Sequence, residues 1–180
     1  MEQKPARPPR LLAPAGGREQ LLAAIRAGAD AVYLGAGAFN ARAGAENFGD
    51  GGLREAVAVC HGRGVRVHVT LNTLVTDRET GALLRQLEEI AESGADAGIV
   101  QDLGVAALVR DCCPSLAMHA STQLSIHNRK GAQAMKDLGF SCIVLARELA
   151  GPEIAAIHQE MGDSLELETF VHGALCMSLS

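Results

Sequence analysis

Aromatic side chains are scarce in this chain of 180 residues: they make up 3% of it, with no Trp and a single Tyr. Large rings therefore cannot dominate its core, which must be built from Ala, Leu, Val and Ile. No apolar run approaches the ~18 residues of a membrane-spanning helix. The basic start, MEQKPARPPR, is not followed by an apolar segment, which argues against a secretory signal and for a cytoplasmic chain. An excess of positive charge is missing too. The 16 basic residues face 21 acidic ones, for a net charge of −5. That balance argues against nucleic-acid binding by bulk electrostatics, though it leaves room for a local basic groove. Thirteen of the 16 are Arg, the side chain suited to forked contacts with phosphate or carboxylate. The five cysteines, Cys60, Cys112, Cys113, Cys142 and Cys176, contain no C-x2-C pair. Their odd number does not suggest a disulfide framework, and the adjacent Cys112 and Cys113 are badly placed to share an ion.

What is present is a globular composition, 48% apolar and 21% charged, in an alternating pattern. Short runs rich in Val, Ile or Leu at residues 10–13, 31–35, 65–71, 97–101, 117–121, 142–146 and 165–171 predict strands. Between them, residues 18–27, 53–63, 78–93, 105–112, 129–138 and 152–161 predict helices, the third with the clearest period, at Leu83, Leu84, Leu87 and Ile90. Gly28, Gly64, Gly94, Gly139 and Gly162 fall where left-handed cap residues are expected, and Pro152 suits a first helical turn. The phrase Gly-Ala-Asp-Ala occurs at residues 28–31 and again at 94–97, each time between a helix and a strand.

Strand and helix in strict alternation predict an α/β fold with a parallel sheet. Two architectures fit. One is an open, doubly wound sheet of seven strands. The other is an incomplete (β/α)8 TIM-like barrel of about seven parallel strands and six helices, since a full barrel takes ~250 residues. Strand polarity favours the barrel. In residues 65–71, Val65, Val67, Val69 and Leu71 alternate with Arg66, His68 and Thr70. In residues 165–172, Leu165, Leu167, Thr169 and Val171 alternate with Glu166, Glu168, Phe170 and His172. Central strands of an open sheet are covered by helices on both faces and should be apolar on both, whereas a barrel can hold polar groups in its lumen. Residues 1–9 are expected to be a flexible tail and residues 10–180 the barrel domain.

Several groups could carry chemistry. Gly35-Ala-Gly37 suggests a dinucleotide loop, but Asn40 stands where the third Gly belongs and no helix begins there. The loop at 36–52 contains Asn40, Arg42, Asn47 and Phe48 and is long enough to suggest function. His119, Ser121 and Gln123 share one parity at the end of the fifth strand. They suit either a ligand site or a strand-end cap. Arg147-Glu148 ends the sixth strand, as a surface pair or as part of a polar lumen. Glu168 and His172 share a face if the seventh strand runs through. Glu166 is two residues back on that face, and paired carboxylates of this kind can act as acid or base. Cys60, Cys112 and Cys113 fall on helices as ordinary core thiols. HExxH, G-x-S-x-G and an oriented Cys–His pair are all absent.

The segment Glu168-Thr-Phe170-Val-His172-Gly173-Ala174-Leu175-Cys176 resembles the signature of the peptidase U32, or collagenase-like protease, family: E-x-F-x-x-G-[SA]-[LIVM]-C-x4-G-x-C. The match is full through Cys176. Four residues follow, with Leu179 where relatives usually have Tyr. Residues 11–16, 28–33, 71–73, 100–104, 119–123 and 144–149 also resemble family phrases. The resemblance implies a barrel-like N-terminal domain. It also implies a part in oxygen insertion, as in C5-hydroxylation of a pyrimidine in ribosomal or transfer RNA or in ubiquinone synthesis, with a slight lean to ribosomal RNA. The older family label implies proteolysis of collagen-like substrates, and a non-catalytic barrel that self-associates through open edges is a third reading.

Taken together, these residues make Glu168, His172, His119 and Glu148 the expected catalytic groups. Asn72, Ser121, Gln123, Arg147 and Arg42 are the expected substrate contacts. Several relatives carry an iron–sulfur cluster on four cysteines, a pattern that only Cys176 matches here. A cluster is therefore expected in a longer chain and none in these 180 residues, which are expected to be an N-terminal fragment.

Overall fold

The computed structural model describes residues 8–41, 48 and 51–173. Seven strands alternate with six helices: β1 (Leu12–Pro14), α1 (Arg18–Arg26), β2 (Ala31–Gly35), α2 (Gly52–His61), β3 (Arg66–Leu71), α3 (Thr80–Ser93), β4 (Ala97–Val100), α4 (Leu103–Cys112), β5 (Ala117–Ala120), α5 (Arg129–Asp137), β6 (Cys142–Val144), α6 (Gly151–Met161) and β7 (Glu166–Glu168). All seven strands are parallel and each pairs with the next, in the order β1-β2-β3-β4-β5-β6-β7. A doubly wound sheet requires that order to reverse. Crossovers of one hand, always stepping the same way, put every helix on one face of the sheet. The sheet therefore curls into an incomplete barrel. Its concave face is a lumen and its convex face lies under the helices.

Burial separates the two faces. Val32, Leu34, Val67, Val69, Val100, Ala120, Ile143 and Leu145 point outward and form one apolar core with Leu21, Leu83, Leu87, Ile90, Val109 and Ile157 of the helices. Ala31, Ala97, Ile99, Cys142, Val144 and Ala146 are equally buried but stand outside that cluster, on the lumen side. The alternation in β3 has this cause: Val67, Val69 and Leu71 belong to the helix-covered core, while Arg66, His68 and Thr70 face inward.

The repeated Gly-Ala-Asp-Ala phrase is a strand lock. The Asp30 carboxylate accepts from the Leu11 N–H at 2.7 Å, and the Asp96 carboxylate accepts from the Val67 N–H, also at 2.7 Å. Each ties the entry of one strand to its neighbour. The preceding glycines, Gly28 and Gly94, have positive φ of 86° and 79°, which reverses the chain out of the helix.

Two sequence expectations need correction. The seventh strand ends at Glu168, not at 171, so Glu168 and His172 do not share a continuous strand face. Among the described residues β7 pairs on one side only, with β6, and the strand stops where that ladder ends, opposite Val144. The fourth helix starts at Leu103, ahead of the expected 105, because Asp102 caps it: its Oδ1 accepts from the N–H groups of Gly104 and Val105 at 2.7 and 3.0 Å. Its Oδ2 also accepts from Val75 N–H at 3.2 Å, which ties the loop after β3 to α4. Asp102→Ala should therefore lower stability by about 1–2 kcal/mol, and Asp102→Asn, which keeps one acceptor, by less. Urea denaturation checks this as a fall in midpoint with unchanged slope.

Candidate functional site

The lumen floor is set by register. Thr70, Ile99, His119, Cys142 and Glu166 lie side by side across five strands, and Val144 opposite Glu168 forms the next row. Inward-facing positions on β3 and β5 bring His68 and His119 together. Their rings meet edge to face, with centroids 4.6 Å apart and planes at 77°. Both are buried, and the Nδ1 atom of each has no hydrogen-bond partner among the described residues. Burial disfavours the imidazolium, so His68 titrates at about 3 and His119 at about 4, and both are neutral at pH 7.

His119, Cys142 and Glu168 converge from three adjacent strands, with one ligand-capable atom each, all within 4.8 Å of one another. Burial, and then the nearby Glu168 and Glu166 carboxylates, pushes the Cys142 thiol far up. Burial, reinforced by Glu166, raises Glu168 to about 7. Glu166 itself sits at the open side of the sheet and pairs with Arg10, which precedes β1. This ion pair bridges the first and last strands on the surface, where such pairs contribute little.

Above the floor, at the C-terminal ends of the strands, Asn72, Ser121 and Gln123 form one hydrogen-bonded chain. Asn72 Nδ2 donates to Gln123 Oε1 at 2.9 Å, and Ser121 Oγ donates to the same oxygen at 3.2 Å. Asn72 Oδ1 accepts from Ala41 N–H at 3.0 Å, which fastens the loop after β2 to this chain. Ser121 also accepts from Gln123 N–H at 3.3 Å, so it caps the short turn at Thr122–Leu124 as well as joining the network. The same loop is held from below by Gln86 of α3. Its Nε2 donates to Ala36 O and its Oε1 accepts from Ala38 N–H at 3.1 Å. Gly37 passes so close that a Cβ there would meet Gln86 Oε1 at 2.5 Å. The Gly35-Ala-Gly37 phrase thus serves this close approach and not a dinucleotide.

A separate cleft of about 350 Å³ opens where β6 and β7 end, lined in part by Ala146, Arg147, Ile154, Thr169, Phe170 and His172. The Arg147 guanidinium lies 4.0 Å above the Phe170 ring centroid. The sequence-predicted residues thus fall into three groups: His119 and Glu168 in the lumen, Asn72, Ser121 and Gln123 on the rim, and Arg147 and His172 in the cleft. Glu148 is exposed on the turn after β6 and is not among the residues lining the cleft. Arg42 and Cys176 lie outside the described residues. His68 and Cys142 were not singled out from sequence. The polar parity of β3 did mark His68, whereas Cys142 lies in a run that is apolar on both faces.

The cysteines among the described residues do not fit an iron–sulfur cluster. Cys60 is buried on α2, Cys112 is exposed, Cys113 is buried with its Sγ 3.7 Å from Leu87 O, and Cys142 lies in the lumen.

Raising the Glu168 pKa above its unfolded value of 4.5 makes the folded state hold that proton more tightly. Its stabilising effect is complete below pH 4.5 and is lost as the pH rises through about 7. Glu168→Gln removes this loss. The variant should match the parent in thermal melts at pH 4.5 and exceed it at pH 8 by about 1–3 kcal/mol, measured with a chelator present.

A sequence model of Peptidase family U32 matches residues 16–180. The chain is 41% identical over 170 residues to the 23S rRNA 5-hydroxycytidine C2501 synthase of Escherichia coli K12, covering 94% of this chain and 25% of that protein. It is 34% identical over 172 residues to the tRNA hydroxylation protein P of Haemophilus influenzae, covering 96% of this chain and 37% of that one. It is also 34% identical over 180 residues to a protein of Porphyromonas gingivalis named Collagenase, covering 94% and 43%. The chain thus spans a quarter to about two-fifths of the length of these relatives. In fold it resembles the U32 peptidase Mk0906, with a TM-score of 0.71 at 16% identity, over 94% of this chain and 71% of that one. With its signature segment at the end of an incomplete parallel barrel and its whole length from Gly16 onward matching one family, the chain belongs to peptidase family U32.

Proposed function

We propose that this chain is the barrel part of a protein that takes part in C5-hydroxylation of a pyrimidine in ribosomal or transfer RNA. The observation that carries the reading is the 41% identity to an rRNA 5-hydroxycytidine synthase over nearly the whole chain, together with an inward-facing polar site in the matched region. RNA as the substrate makes the cytoplasm the place of action.

The site's chemistry suits a nucleobase. Asn72, Ser121 and Gln123 offer the amide and hydroxyl groups that read the edge of a base in single-stranded RNA. The Arg147 guanidinium stacked on Phe170 supplies a cation for a flanking phosphate beside an aromatic face. Enzymes that act on a base draw it out of its stack into such a pocket. Glu168, poised near pH 7, and neutral His119 are the groups that would hold or move a proton there.

The proteolytic reading receives less support from the same residues. A cysteine nucleophile needs a lowered pKa, and the Cys142 thiol is driven the other way by burial and two carboxylates. Its neighbour His119 is too reluctant a base to form a thiolate–imidazolium pair. Ser121 Oγ donates to an amide oxygen, not to a base.

Nucleoside mass spectrometry of ribosomal and transfer RNA, from cells with and without the gene, tests the proposal. Loss of one pyrimidine nucleoside carrying an extra oxygen is expected, restored by the parent gene and not by Glu168→Ala. Unchanged profiles in both RNA pools would overturn it.

A further inference from the structure

We propose that His119, Cys142 and Glu168 form a mononuclear binding site for a divalent transition-metal ion of the zinc type, set in the barrel lumen. The inference is independent of the substrate assigned above. It rests first on convergence. An imidazole, a thiol and a carboxyl group from β5, β6 and β7 bring their ligand atoms within 4.8 Å of one another. A tetrahedral ion with bonds of about 2.0–2.3 Å separates its ligands by roughly 3.5 Å, so closing on an ion needs side-chain shifts of about 1 Å or less. Because the three residues stand on adjacent paired strands, the backbone already fixes their spacing: His119 is directly opposite Cys142, and Glu168 is two pairs up from Glu166, which faces Cys142.

The second observation is polarity left unanswered. Buried polar groups are nearly always hydrogen-bonded, and each exception needs a cause. Among the described residues, His119 Nδ1 has no partner, and neither the Cys142 thiol nor the Glu168 carboxyl group makes a hydrogen bond. His119 is 6% exposed and Cys142 is 3% exposed, so solvent does not supply the contacts missing from these two, while Glu168 is half-buried. A cation bound by all three would. His68, packed edge-on against His119, fixes the plane of the ligating ring.

The donor set selects the ion. Nitrogen, sulfur and oxygen together disfavour Mg(II) and Ca(II), which prefer all-oxygen shells, and suit Zn(II), Co(II) or Fe(II). Three protein ligands leave at least one coordination position for water or for an oxygen of a bound ligand, as in catalytic and not purely structural zinc sites.

Cobalt(II) makes the site visible. The whole chain, stripped with a chelator and kept reduced, would be titrated with Co(II). One ion per chain should bind, giving the visible bands of tetrahedral cobalt and a near-ultraviolet sulfur-to-cobalt charge-transfer band. Zn(II) should abolish both. Cys142→Ser should lose the charge-transfer band, and His119→Gln and Glu168→Gln should each weaken binding by on the order of 100-fold. Cys112→Ser, at an exposed thiol outside the lumen, should leave both unchanged. Far-ultraviolet circular dichroism establishes that each variant is folded. If Cys142→Ser does not fold, His119→Gln and Glu168→Gln decide, and parental affinity in both overturns the site. The absence of a charge-transfer band in the parent chain overturns it too, as does a band that survives Cys142→Ser.

Discussion

Pairing each parallel strand with the next in sequence is the constraint from which the rest of this structure follows. Every crossover steps the same way, so every helix among the described residues falls on one side, and none covers the sheet's other face. That face must curl upon itself. Positions that a doubly wound sheet would fill with Val or Ile are then free to carry Arg66, His68, His119 and Glu168. The apolar core and the polar lumen share one backbone and are separated by nothing more than the alternation of side chains along a strand.

Burial without hydrogen bonding is what gives the lumen its chemical character. Two histidines held neutral, a thiol held protonated and a carboxyl group moved to neutrality all follow from one cause, the loss of solvent. Charged neighbours act only as secondary influences. The rim is built on the opposite principle. Its amides and hydroxyl hydrogen-bond to one another, and they link three separate stretches of chain: the loop after β2, the end of β3 and the end of β5.

Much of the fold was legible in the sequence because parity and period are local. The alternation at residues 65–71 correctly announced a polar interior, and the six helices fell close to their expected positions. Element ends were less legible. The stop of β7 at Glu168 follows the end of its ladder with β6, which no local pattern records. Of the site, His119, Ser121 and Gln123 were visible as a polar run at a strand end, though their division between lumen and rim was not. Cys142 stayed hidden because its strand is apolar on both faces, so only the register with His119 shows that its thiol points inward. The Gly-Ala-Asp-Ala repeat was visible, but its purpose was not, since each Asp acts on a strand distant in sequence.

Gln86 reaches from the third helix to hold the loop after β2, and Asn72, itself bonded to Gln123, holds that loop from the other side. These contacts are made by carboxamides, which keep the same charge across the whole range in which proteins remain folded. The lumen beneath changes its protonation between mildly acid and neutral solution, while the frame around its mouth does not. An acid–base event in the interior can therefore proceed under an entrance of fixed shape, with recognition insulated from the proton count below it.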